Sequence, residues 1–148
     1  MTSLRPVCYV AGALTKGDVV ENVKKAHAAG TALLKAGFAV IVPHGSVFWG
    51  NETITSVTTC EDDTFREKER KVGFVIDVLA DGIPYETWID HSLELVRRCD
   101  CLLRLEGESR GADLEEAEAN LCGMPVYRSV DEAVAALESL RRSGRVRR

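Results

Sequence analysis

The stretch CLLRLEGESRGADLE, residues 101–115, joins a short apolar run to a polar loop and then to an acidic segment. Its first part, Cys101 to Leu105, is typical of a buried strand. Residues Ala112 to Cys122 are predicted to form a helix, with Asp113 as N-cap and Glu116 completing a capping box. In open α/β sheets, ligands bind at the carboxyl ends of strands, where a helix N-terminus favours anions. The stretch therefore predicts a substrate site at a strand end.

Helical spacing separates the acids of this predicted helix. Leu114, Ala117 and Leu121 recur on one face and are expected to contact the sheet, whereas Glu116 is expected on the solvent side. Glu115 lies between these faces, beside small residues, so it is the acid expected to point into a crevice. The alternative is that the acids only complement the helix dipole, at roughly 0.3–1 kcal/mol each.

The rest of the chain alternates between strand and helix patterns, which favours a parallel sheet covered on both faces. The other predicted strands are Val7 to Val10, Ala39 to Val42 and Pro125 to Tyr127. The other predicted helices are the one that Asp18 caps and that runs to about Lys35, Tyr85 to Arg98, and Asp131 to Leu140. We predict one α/β domain over residues 1–148, with a three-layer α/β/α arrangement and a roughly five-stranded parallel sheet, Rossmann-like or flavodoxin-like.

Two parts of the chain fit this pattern less well. Residues 50–84 form a long connection with a highly charged centre, and we expect a lid or a dimer element there, the alternative being a surface excursion without function. The basic tail, residues 141–148, is expected to be flexible and solvated rather than a binding arm.

Composition argues against several classes of function. The formal net charge of −4 is unfavourable for a nucleic-acid partner. A signal-peptide pattern and an apolar run of membrane-spanning length are both lacking, so we expect a cytoplasmic protein without a membrane partner. Five cysteines, an odd number, favour reduced thiols. Because the three histidines are scattered, we expect no metal site, and we expect no cofactor.

Two further loops follow predicted strands and are expected at the same edge of the sheet. The first, Ala11-Gly12-Ala13-Leu14-Thr15-Lys16-Gly17, suits close approach of a ligand. The second, Pro43-His44-Gly45, ends the next strand, and we assign His44 to the substrate site.

Several motifs in this order resemble the nucleoside 2-deoxyribosyltransferase superfamily, and its short phage and bacterial members most. The motifs are Cys8-Tyr9-Val10-Ala11-Gly12, Asn22-Val23, Pro43-His44, Cys99-Asp100 and Ser109-x-Gly111-x-x-x-Glu115, the last followed by Ala119, Gly123, Pro125 and Val126. The resemblance covers residues 7–48 and 85–127. It implies that Glu115 is the nucleophile that attacks C1′ of a sugar and that Tyr9 hydrogen-bonds this glutamate.

The resemblance also implies where the rest of the substrate binds. Residues that would approach the sugar and a 5′-phosphate are Gly12, Thr15, Lys16 and Gly17, with Ser109 and Gly111 in the turn before Glu115. Members that act on free nucleosides tend to have aspartate at the position of Ser109. Because a carboxylate would repel a phosphate, Ser109 points to a nucleoside monophosphate, a small-molecule partner.

The chain departs from the family pattern at the position of the proton donor. The family commonly has an aspartate that contacts the base where this chain has Ser92. Asp90 and His91 stand next to it, and we assign Asp90 as the candidate acid and Ser92 as a substrate contact. Asp100 is expected to be structural.

The chemistry is consistent without the family name. Cleavage of an N-glycosidic bond passes through an oxocarbenium-like state, which a carboxylate at C1′ stabilises or captures. A second group must neutralise the departing base, which could stack on Phe48, Trp49 or Trp88. The leading hypothesis is cleavage of a nucleoside 5′-monophosphate. The alternatives are a non-catalytic nucleotide-binding or sensing module, and a phosphoribohydrolase of the lysine-decarboxylase-like group, whose double-glycine run is lacking here.

Assembly is the remaining expectation. The resemblance implies a homodimer or larger homo-oligomer. Apolar aromatic residues in and near the extra segment, Phe48, Trp49, Phe65 and Phe74, are consistent with an interface.

Overall fold

The computed structural model of the chain describes residues 4–14, 16–43 and 84–143. Within these ranges the strands are β1 (Val7–Ala11), β2 (Ala39–Ile41), β3 (Cys101–Arg104) and β4 (Val126–Tyr127). The helices are α1 (Val19–Ala36), α2 (Tyr85–Arg97), α3 (Arg110–Leu121) and α4 (Val130–Arg142). Most of the extra segment at residues 50–84 lies outside the described residues. Helix α4 includes the first two residues of the tail that was predicted to be flexible.

The four strands form one parallel sheet in the order β2-β1-β3-β4. Cys8 of β1 lies opposite Val40 on one side and Cys101 on the other. Asp100 stabilises the start of this pairing, because its carboxylate accepts a 2.7 Å hydrogen bond from the Val7 amide. The predicted α/β class and the structural role of Asp100 are confirmed, and the described ranges contain four strands where about five were predicted.

Side chains of β1 alternate between two core clusters, as the pleat of a strand requires. Cys8 and Val10 pack in one cluster with helices α1 and α4, and Tyr9 and Ala11 pack in the other with α2 and α3. The second cluster positions the candidate site. Among the described helices, none is long and apolar enough to cross a membrane.

Helix α1 begins and ends as the sequence predicts. The Asp18 side chain accepts a hydrogen bond from the Glu21 amide, which caps the first turn. Gly37 ends the helix with φ of 118°, a left-handed conformation that glycine adopts without steric strain.

Helix α3 departs from its prediction in two ways. Its N-cap is Ser109, whose hydroxyl accepts a hydrogen bond from the Ala112 amide, so the predicted Asp113 cap is wrong. The buried residues of the helix are Ala112, Glu115 and Ala119. The face predicted to contact the sheet is also wrong, since Leu114 is 37% and Leu121 83% exposed. Small side chains allow the helix to approach the sheet closely. The helix is rotated so that Ala112 and Ala119 face the sheet, and Glu115 points inward with them.

Candidate active site

Glu115 is a buried carboxylate that lies against the central strand. Its relative exposure is 8%, and that of Tyr9 is 0%. The Tyr9 hydroxyl donates a 2.7 Å hydrogen bond to Oε1 of Glu115. The fold thus pairs two side chains that are 106 residues apart in the chain. This is the hydrogen bond that the family resemblance implies.

The surroundings of Glu115 bring its ionisation close to neutral pH. Burial raises the pKa of Glu115 from 4.5 to about 7, against the opposing effects of the Tyr9 hydrogen bond, the charge of Arg104 and the Ser92 hydroxyl. Burial and the neighbouring carboxylate raise the pKa of Tyr9 far above its ordinary value, so Tyr9 stays protonated and donates. Near pH 7 the carboxyl group is therefore able to act either as a base or nucleophile, or as an acid.

Ser92 of α2 is the third polar side chain of this site. Its hydroxyl favours the ionised forms of both Tyr9 and Glu115 and so lowers the pKa of each. Asp90 lies two residues earlier, roughly 200° away around the helix axis, and it is exposed. The structure therefore brings Ser92 to the pair and leaves the predicted acid Asp90 on the outer side of the helix. His91 is exposed too, with its ring centroid 6.2 Å from that of Trp88.

Arg104 is a functional candidate that the sequence analysis missed. This arginine ends β3 and is only 6% exposed. Its Nη2 atom donates to the Gly107 carbonyl and to Oδ1 of Asp113, both at 2.9 Å. Nη1 donates to the Leu105 carbonyl, and Nε lies 3.5 Å from Oε2 of Glu116. The sequence signal was present, since a charged residue interrupts an otherwise apolar strand.

The loops after β1 and β3 meet at the carboxyl end of the sheet. Lys16 Nζ lies 2.5 Å from Oε1 of Glu108, and both side chains are largely exposed. The Asn22 side-chain amide donates to the Leu14 carbonyl at 3.1 Å and to the Lys16 carbonyl at 2.8 Å. Asn22 therefore holds the first loop in place, a role that the sequence motif did not specify.

The remaining predicted substrate contacts have structural roles of their own or lie outside the described residues. A Cβ atom on Gly12 would lie 3.1 Å from the Leu105 side chain, so a larger residue there would crowd the loop after β3. Gly17 has φ of 82°, which favours glycine. Gly111 lies half-buried in the first turn of α3. Thr15 and His44 are not among the described residues.

The role of the Tyr9 hydrogen bond can be tested by Tyr9→Phe. Phenylalanine keeps the buried ring and removes the donor that favours the ionised form of Glu115. We expect the Glu115 pKa to rise by about one unit. The measurement is a ¹³C NMR titration of labelled glutamate carboxyls, assigned with Glu115→Gln. An unchanged or lowered pKa would contradict this role.

Comparisons of the chain with protein-family models, with curated proteins and with solved structures find no match. In the part of the chain that the structure describes, no group of three or more histidine, cysteine or acidic side chains is arranged to hold a metal ion. The functional conclusion therefore rests on the pairing of Glu115 with Tyr9 and on the groups around it.

Proposed function

We propose that the chain cleaves the N-glycosidic bond of a nucleoside 5′-monophosphate, by hydrolysis or by base exchange, with Glu115 acting at C1′ of the sugar. The observation that carries the proposal is the buried Glu115 carboxylate, held by the Tyr9 hydroxyl at 2.7 Å. A surface acid that only complements a helix dipole needs neither burial nor a tyrosine partner. Burial of an acid is unfavourable, so a buried carboxylate at this position supports a chemical role.

In this proposal the ionised Glu115 attacks C1′. A bond forms between a carboxylate oxygen and C1′, while the bond from C1′ to the base nitrogen breaks and its electron pair leaves with the base. The departing base takes up a proton from solvent, and the water or second base that replaces it at C1′ releases one. Water or a second base then displaces the carboxylate from C1′. Tyr9 fixes the orientation of the carboxylate through both steps.

The 5′-phosphate is proposed to bind between the two loops at the carboxyl end of the sheet. Ser109 and the first amides of α3 favour an anion there, and Lys16 supplies a positive charge. In the structure Lys16 pairs with Glu108. A phosphate would therefore compete with the Glu108 carboxylate for Lys16, which is feasible because an exposed ion pair is weak, at roughly 0–1 kcal/mol.

Ser109→Asp tests the phosphate preference without removing the helix cap. Aspartate caps a helix as well as serine does, but it places a negative charge beside the proposed phosphate. We expect kcat/KM for the monophosphate to fall by at least about tenfold relative to that for the nucleoside, about 1.4 kcal/mol. Ser109→Asn is the matched control, because asparagine also caps and carries no charge. An equal ratio of kcat/KM for the monophosphate to kcat/KM for the nucleoside in the two variants would rule out a phosphate at this position.

A nucleotide-binding or sensing module without activity is the second candidate. It is favoured by the contact of Ser92 with the pair, because a serine hydroxyl stands where the resemblance places an acid for the departing base. Such a module would bind nucleotides through the same loops and leave them intact.

The experiment that separates the two candidates is an assay for free base. The common ribonucleoside and deoxyribonucleoside monophosphates are incubated with the protein, with and without an acceptor base, and the products are separated by chromatography. Release of base by the wild type and not by Glu115→Gln supports the enzyme. Nucleotide binding detected by calorimetry, without release, supports the sensing module.

The proposal also carries the finer expectations from the sequence. These are a fifth strand in a three-layer Rossmann-like domain, a cytoplasmic location and a homodimer or larger assembly. These three expectations are proposals that go further than the parallel sheet and the helices described above.

A further inference from the structure

The guanidinium of Arg104 makes contacts in several directions at once. Two carbonyls of the turn after β3, those of Leu105 and Gly107, accept from its Nη atoms. Carboxylates from two positions of α3, Asp113 and Glu116, approach the same group. A planar guanidinium has five N–H donors in a fixed arrangement, whereas a lysine ammonium presents three donors at one point. The side chain thus connects the end of β3, the turn and the first half of α3.

We propose that Arg104 is a positioning residue for the reaction at Glu115, an inference that rests on the proposed function. It holds the turn that precedes Ser109 and the helix that carries Glu115. The same turn contacts the loop after β1, because its Glu108 pairs with Lys16. Arg104 thereby places the nucleophile and the proposed phosphate loops relative to each other.

The charge of Arg104 has a second effect at this site. Asp113, Glu115 and Glu116 are acids of the first two turns of α3. Arg104 contacts two of these acids and acts on Glu115 electrostatically. The other groups that act on Glu115 from neighbouring elements are Tyr9 of β1 and Ser92 of α2. Among these, Arg104 is the only cation.

Two substitutions separate the charge of Arg104 from its geometry. Arg104→Gln removes the charge, and we expect the Glu115 titration midpoint, followed by ¹³C NMR, to rise by about one pH unit. Arg104→Lys keeps the charge and loses the planar arrangement of N–H donors. We expect an unchanged midpoint and a KM for the monophosphate that rises about tenfold, with a smaller change in kcat, because the turn is no longer held. Arg128→Gln is the matched control, since Arg128 also pairs with Glu116 but is exposed.

The outcomes distinguish this inference from the proposed function. A Glu115 titration midpoint that is unchanged in Arg104→Gln overturns the inference. A KM for the monophosphate that is unchanged in Arg104→Lys also overturns it. Should Arg104→Gln fail to fold, the KM of Arg104→Lys decides. The NMR titration requires no turnover. A wild-type protein that cleaves no nucleotide therefore overturns the proposed function, while the titration still decides whether Arg104 controls the ionisation of Glu115.

Discussion

Glu115→Gln is expected to lower kcat for release of base by at least about a thousandfold, equivalent to about 4 kcal/mol of activation free energy. Glutamine has nearly the same shape, and its amide oxygen is able to accept the hydrogen bond from Tyr9. It is a far weaker nucleophile than a carboxylate at C1′. The measurement is the initial rate of base release from the best monophosphate substrate, at saturating concentration.

The choice of control follows from the structure. Glu116→Gln, the obvious neighbour, is unsuitable because Glu116 contacts both Arg104 and Arg128. Glu138→Gln makes the same chemical change on α4, against the other face of the sheet, at a side chain that is 63% exposed. This control should keep wild-type activity. More than about a tenth of wild-type turnover in Glu115→Gln, a cost below 1.4 kcal/mol, would show that Glu115 is not the nucleophile.

The same substitution is expected to change how stability depends on pH. Burial raises the pKa of Glu115 from 4.5 to about 7, so the folded protein binds a proton that the unfolded chain releases. The stabilising contribution of neutral Glu115 is complete below pH 4.5 and is lost as the pH rises to about 7. The loss corresponds to about 3 kcal/mol. Glutamine does not ionise, so the stability of Glu115→Gln relative to that of the wild type should rise by about this amount as the pH rises across this range.

Denaturation in urea at about pH 4.5 and at about pH 8.5 measures this effect. The quantity to compare is the difference in unfolding free energy between variant and wild type at the two pH values, because contributions of other groups largely cancel. Glu138→Gln, at an exposed position, should change by no more than about 0.5 kcal/mol. A difference for Glu115→Gln that stays constant with pH would mean that Glu115 ionises normally in the folded protein.

The sequence and the structure agree best where the information is local. The start of α1 at Asp18 and its end at Gly37 follow from residues that the cap itself contains. The four described strands lie where short apolar runs predict them, within one or two residues at each end. Helical spacing singled out Glu115 among the acids of α3, whereas its link to Tyr9 came from the family resemblance that the motifs carry.

The face of α3 that contacts the sheet was predicted wrongly because helix rotation depends on distant partners. Periodicity placed Leu114 and Leu121 against the sheet, because large apolar residues are normally buried. Instead, Ala112 and Ala119 are the small residues of α3 that are buried against the sheet, and Glu115 is buried with them. On α2, Asp90 was assigned as the acid and Ser92 as a substrate contact because they are close in sequence, although two residues separate them by more than half a turn of the helix.

Alternation of apolar strands with capped helices was thus sufficient to indicate a parallel α/β domain with its loops at one edge, since each signal lies within a window of about ten residues. Which polar groups come together was settled by packing. The contacts of Glu115 with Tyr9 and Ser92 join segments that are far apart in the chain, and the contacts of Arg104 depend on the path of a turn. Such contacts depend on how closely helix and sheet approach each other, and no local window of sequence contains that distance.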